Sequence, residues 1–251
     1  MRRYIVRVIE ILVCAGEADL LEILSNGSSP SKVMHHIDKV LLATANLQLE
    51  GAAIKRPRAI KFISSVGGEQ VDFEPPVPLE GKVEVYLQTV LEAQRHTLQK
   101  NLERSQKRYP LQPRTEWLLD TNSSGKPSAP AQIALLVAGI QSVVSIEKAM
   151  DEMDQGEINT LQVYADQQQQ DLIDLVNLTQ TKLDNSERQR VMCLVTIDAH
   201  TRDVIAKLLR EKAYHKADFQ WQSQLKQRFV EKEETSLVAV QTEVHVCDAC
   251  T

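Results

Sequence analysis

Three stretches in the second half of the chain, about Ala131–Met153, Glu157–Leu183 and Glu187–Ala213, carry helix chemistry with only short polar breaks between them. An α-helix of about 24 residues is ~36 Å long, so three in succession predict an elongated bundle. Pro130 suits the first turn of such a helix, where its missing N–H loses no partner, and Asn185-Ser186 before Glu187 predicts an N-cap. Aromatic residues make up only 4% of the chain against 43% hydrophobic residues overall, which favours aliphatic helix packing over an aromatic-rich sheet. The expected fold class is mainly α: an elongated bundle of long helices with a small β-hairpin and a C-terminal strand.

The first half predicts shorter pieces. Residues 5–24 read as an amphipathic helix bent near Gly16, stopped by Asn26-Gly27-Ser28-Ser29-Pro30. Ser31 to Leu49 reads as a second helix, with Val33, Ile37, Val40, Leu41 and Ala45 at core-facing spacing. Residues 59–65 and 70–73 flank Gly67-Gly68 as the arms of a hairpin, because the glycines supply the positive φ angles of a tight reversal. Glu74-Pro75-Pro76-Val77-Pro78 should be stiff and extended. A long helix from about Gly81 should end before Tyr109-Pro110, and a short segment to Leu119 carries Trp117. After a polar loop and the three long helices, Asp218–Phe229 predicts a shorter helix. Residues 237–246 then alternate as a strand with no partner after it. These boundaries divide the chain into an uncertain segment 1–18, a helix-plus-hairpin part 19–130, a long-helix bundle 131–235 and a strand-bearing end 236–251.

Charge and motifs narrow the function. Lys and Arg total 29 against 34 Asp and Glu, a formal charge of −5, so the chain lacks the basic field that sequence-independent nucleic-acid binding needs. The longest uninterrupted apolar run is Ile133 to Ile140, short of the ~20 residues of a membrane span. Arg7 and Glu10 interrupt what would be a secretory core near the N-terminus. No nucleic-acid or membrane partner is expected, and the compartment is read as cytoplasmic. Gly125-Lys126 fails the phosphate-loop pattern, since position 120 is Asp and position 127 is Pro. Cys247-Asp248-Ala249-Cys250 has metal or redox spacing but no second ligand pair. His35-His36 lie on different helix faces, and Asp198, His200 and Asp203 read as a polar stripe. Glu187 to Arg190 and Gln167 to Gln170 read as solvated faces. No catalytic, cofactor or metal site is expected.

One phrase concentrates aromatic residues: Asp218-Phe219-Gln220-Trp221-Gln222-Ser223-Gln224-Leu225. On a helix, Phe219 shares a face with Gln222 and Trp221 with Leu225. The segment serves either as a local core anchor or as a docking surface for another domain.

That phrase, with Thr196-Ile197-Asp198-Ala199-His200-Thr201-Arg202-Asp203-Val204 before it, closely resembles the end of the linker region of dynein heavy chains. Asp19-Leu20-Leu21-Glu22-Ile23-Leu24-Ser25 with Pro30, Val83-Glu84-Val85-Tyr86-Leu87, and Tyr109-Pro110 through Arg114-Thr115-Glu116-Trp117-Leu118-Leu119 follow the family's order and rough spacing. The resemblance runs from about Asp19 to Cys250, while the first eighteen residues depart from it. It implies a mechanical lever over a ring of ATPase modules, in a motor that moves toward microtubule minus ends. Its DFQWQSQL wording leans to the axonemal type, in cilia or flagella. ATP and Mg would then belong to the parent motor. The partners would be the ATPase ring of the same heavy chain and, through the parent complex, microtubules and dynein intermediate and light chains. Trp117, Phe219, Trp221, Gln224 and Leu225 are the expected inter-domain docking residues. The family continues past the end of this sequence, so a fragment is expected. The alternative is a stand-alone helical scaffold without motor activity.

Overall fold

A computed structural model of the chain describes residues 16–41, 43–51, 57–65, 67–121, 125, 127–232 and 237–243. Cys14, Lys126, Cys247 and Cys250 lie outside the described residues. The chain separates into two compact units, residues 1–100 and 101–251.

In the first unit, helix α1 (Glu17–Ser25) starts at Gly16 with Glu17 and Asp19 in its first turn, where carboxylates complement the positive helix end. The segment expected to run as one helix from Ser31 to Leu49 does not. It forms single turns, α2 (Pro30–Val33) and α3 (Ile37–Val40), joined through a 3-10 turn at Met34–His36. Strand β1 (Thr44–Glu50) follows. Ala43 takes a positive φ of 64° and reverses the chain. From there Leu47 is buried between exposed neighbours, a period of two rather than 3.6.

The expected hairpin is present as β2 (Arg58–Ser64) and β3 (Gln70–Pro78), with Gly67 and Gly68 at positive φ between them. The three strands form an antiparallel sheet in the order β1-β2-β3. Pro75, Pro76 and Pro78 sit on the edge strand, where a missing N–H breaks no ladder. Phe62 and Phe73 meet at 5.2 Å across β2 and β3. Helix α4 (Val83–Arg108) contributes Val83, Tyr86, Leu87 and Val90 to the core beneath the sheet, alongside Ile23, Val33 and Ile37.

The second unit holds α5 (Arg114–Leu119), α6 (Ala131–Asp154), α7 (Thr160–Leu178) and α8 (Asn185–Glu211). The three long helices are where the sequence placed them, although α7 stops earlier than expected. Pro130 is the N-cap of α6 rather than its first residue. Asp184, one residue before the expected neighbourhood, caps α8: the Glu187 N–H donates to Asp184 Oδ1 at 2.7 Å and the Asp184 N–H to Glu187 Oε2 at 2.9 Å. By length and composition α6 could cross a membrane, but it lies in the interior of the bundle, with Val137 and Ala138 at 0% exposure.

The end of the chain departs most from expectation. Residues 218–229 do not form one helix. Only α9 (Phe219–Gln222) is helical, and β4 (Lys226–Lys232) pairs antiparallel with β5 (Leu237–Glu243). The strand expected without a partner therefore has one, immediately before it in sequence. Pairing seven residues in register, Lys226 opposite Glu243 to Lys232 opposite Leu237, satisfies backbone groups in a way a short terminal helix cannot.

Candidate functional site

The aromatic phrase is built around Glu147, in the C-terminal half of α6. Glu147 follows Ile146 and precedes Met150 on the buried stripe of that helix. The Trp221 indole N–H donates to Glu147 Oε1 at 3.1 Å. The Arg228 guanidinium of β4 donates to both oxygens, Nη1 to Oε2 at 2.8 Å and Nη2 to Oε1 at 2.6 Å. Burial acts to raise the Glu147 carboxyl, but the hydrogen bonds from Arg228 and Trp221, with the charges of Arg228 and Lys216, outweigh it and hold the pKa below its ordinary value. Trp221 is 2% exposed and packs in the cluster of Ile146, Met150, Leu161, Ile205 and Leu208. Beneath it, Lys226 is 1% exposed. Its Nζ donates to Gln222 Oε1 at 3.1 Å and lies 5.4 Å from the Trp221 ring centroid, so the buried ammonium meets an acceptor and a π face.

The five residues expected to dock do not form one surface. Trp221 and Trp117 are buried, the latter edge-on to Tyr109 at 4.9 Å. Phe219 and Leu225 are exposed at 58% and 64%. Gln224 is half-buried and donates to its own segment at Gln220 O. The shared helix face argued for Trp221 and Leu225 does not exist, because α9 ends at Gln222. What Trp221, Gln224 and Leu225 do share is an open groove of about 270 Å³ between α6 and α8, whose walls include Val143, Ile197 and Val204.

A second polar centre joins α5 to α8. Asp198, expected on a polar stripe with His200 and Asp203, is 0% exposed and accepts from Arg114 Nη2 at 2.6 Å. Burial raises the Asp198 carboxyl while Arg114 pulls it back, and the net shift is upward. Arg190 is also buried and donates to the Leu118 carbonyl at 3.3 Å, so residues 187–190 are not wholly a solvated face. Gln168, inside the Gln167–Gln170 run, is buried too, with the Tyr164 hydroxyl 3.4 Å from its Oε1. Of the expected stripe, His200 lines the groove and Asp203 is paired with Arg202.

Sequence reasoning missed Glu147, Arg228, Lys226, Arg114 and the burial of Asp198. One signal was available for Glu147, an acid on the apolar stripe of the most hydrophobic helix. Cys193 is exposed, and among the described residues no three His, Cys, Asp or Glu side chains come together as a metal site. The arrangement fastens helices and strand together through charge-assisted bonds; it presents no nucleophile beside a base.

The family model described as dynein heavy chain, N-terminal region 2, matches residues 15–105. Over 212 residues the chain is 36% identical to the dynein alpha chain of the flagellar outer arm of Chlamydomonas reinhardtii, covering 83% of this chain and 4% of that one. It is 34% identical over 236 residues to the flagellar outer arm dynein beta chain of the same organism, covering 92% of this chain and 5% of that one. To human dynein axonemal heavy chain 17 it is 31% identical over 233 residues, again covering 92% and 5%. The chain thus spans about a twentieth of the length of these curated relatives.

Proposed function

The chain belongs to the dynein heavy-chain family, as a stretch of its N-terminal region of axonemal type, and on that premise we propose that it is part of the linker, the mechanical lever of an ATP-driven, minus-end-directed microtubule motor. In this reading the segment transmits force and performs no hydrolysis. ATP and Mg act in the ATPase ring of the same heavy chain, which is the direct partner. Microtubules and the intermediate and light chains are reached through the parent complex, in the axoneme of a cilium or flagellum.

One observation carries the reading. The segment that bears the family phrase is locked to the C-terminal half of α6 through Trp221, Glu147 and Arg228. A lever needs such a joint, because load applied at one end must pass into the long helices without the end peeling away. Charge-assisted bonds to a buried carboxylate are the stiff, directional contacts for that task.

The test is a full-length heavy chain carrying Glu147→Gln and Arg228→Gln at these positions. ATP turnover is expected to survive while microtubule gliding speed falls. Unchanged gliding at unchanged turnover would refute the lever reading.

A further inference from the structure

Helix α6 presents three carboxylates at i, i+4 and i+7: Glu147, Asp151 and Asp154. That spacing places them in one row, about 10 Å long at 1.5 Å per residue. Each meets a basic side chain of the segment that follows α8. Arg228 grips Glu147, Lys216 Nζ lies 2.6 Å from Asp151 Oδ2, and His215 Nδ1 lies 2.5 Å from Asp154 Oδ1. The segment therefore runs antiparallel to α6, one contact per turn.

The three contacts are not equivalent. The Glu147 side chain is 11% exposed, whereas those of Asp151 and Asp154 are 49% and 40% exposed. The chain between the outer contacts and the inner one is equally uneven. Ala213 and Trp221 are buried, but no residue from Tyr214 to Gln220 is. Within that strap the internal ties are a turn in which the Asp218 N–H donates to the His215 carbonyl and the His215 N–H to Asp218 Oδ2, both at 3.0 Å. Gln222 also reaches back to the Lys216 carbonyl.

We propose that this row is a graded fastener: residues 215–217 come away from α6 under modest load or high salt, opening the His215–Asp218 turn, while α9 and the Trp221, Glu147 and Arg228 contacts hold. The device gives the chain a compliant link between two buried anchors. It is a property of this chain's own packing and stands whether or not the lever reading does. The physical ground is screening. Exposed pairs lose their attraction as the Debye length falls from about 10 Å at 0.1 M to about 3 Å at 1 M salt, whereas a bidentate pair on a buried carboxylate is screened less.

Hydrogen exchange on the 251-residue chain, read by mass spectrometry, tests this. Raising NaCl from about 0.1 M to about 1 M is expected to speed exchange of the His215 and Asp218 amides, whose bonds close the turn, by about two- to fivefold, the range of an exposed ion pair, and to leave residues 221–232 unchanged. Asp151→Asn should reproduce the increase at low salt and blunt the salt response. The exchanged pair Asp151→Lys with Lys216→Asp should restore low-salt protection. Strap and strand opening together, or a strap indifferent to Asp151→Asn, would overturn the proposal.

Discussion

Replacing Glu147 with Gln is the sharpest perturbation of the joint, because the side chains are isosteric and no cavity confuses the outcome. The wild-type carboxylate accepts three hydrogen bonds, one from Trp221 and two from Arg228. The amide oxygen of Gln can keep the Trp221 bond, but its NH₂ group then faces the guanidinium, and at least one charge-assisted bond is lost. Such bonds are worth about 1.5–3 kcal/mol each. Arg228 is 37% exposed on its side chain and can turn to water, which places the loss near the lower end, at about 2 kcal/mol. For a unit of roughly 150 residues that is a fall in Tm of about 4–8 °C.

The assay is urea unfolding followed by Trp221 fluorescence in a Trp117→Phe background, since these are the chain's two tryptophans. The pH dependence supplies a second, independent reading. The folded Glu147 pKa lies below its ordinary value of 4.5. Between the unfolded and folded values the unfolded chain binds more protons, so the contribution is fully present above about 4.5 and is lost as pH falls through the folded value. The gap between wild type and Glu147→Gln should therefore be complete at neutral pH and close in acid. A loss under about 0.5 kcal/mol, the range of an ordinary surface substitution, or a gap that persists undiminished in acid, would refute the reasoning.

Other outcomes follow from the same packing. Asp198→Leu should cost about 3–5 kcal/mol in denaturant unfolding, because it leaves the buried Arg114 guanidinium without an acceptor, whereas Arg114→Met with Asp198→Leu should fall within about 1 kcal/mol of wild type. Since burial raises the folded Asp198 pKa, this centre gains stability as pH falls through that value towards 3.8, opposite in sign to Glu147. Gly139→Ala should stabilise by about 0.5 kcal/mol: the helix gains about 1 kcal/mol, and the added Cβ meets only the far end of the Gln227 side chain, Oε1 at 3.2 Å. Trp221→Ala should cost about 3–5 kcal/mol, while Phe219→Ala, at an exposed position, should change Tm by less than about 2 °C. Asp184→Ala removes the capping box of α8 and should cost about 1 kcal/mol, measurable as a shifted urea midpoint.

Long-range amphipathic periodicity made the helices legible. In α6, α7 and α8 each turn repeats the choice of the one before, so many residues vote for the same local state. The Gly67-Gly68 reversal was legible for a similar reason, since the turn is encoded in the two residues that make it. Residues 44–49 and 226–229, expected as helix, are strand because their state is decided elsewhere in the chain. Val40, Leu41 and Ala45 extend the helical spacing of Val33 and Ile37, and the period of two at Leu47 and Leu49 counts only once β2 is there to pair with, while Lys226–Lys232 is a strand because β5 lies beside it.

The candidate site divides along the same line. The mainly α class, the concentrated aromatic phrase at residues 218–225 and the family it resembles could all be read from local pattern. Packing, not pattern, turns Trp221 inward while Phe219 and Leu225 face out, and buries Glu147, Asp198, Arg190, Gln168 and Lys226. A charged residue enters a core only when a partner waits there, and those partners lie 81 and 84 residues away for Glu147 and Asp198. Local patterning carries no information about a meeting at that separation, because the free energy that permits it arises only once the helices have packed.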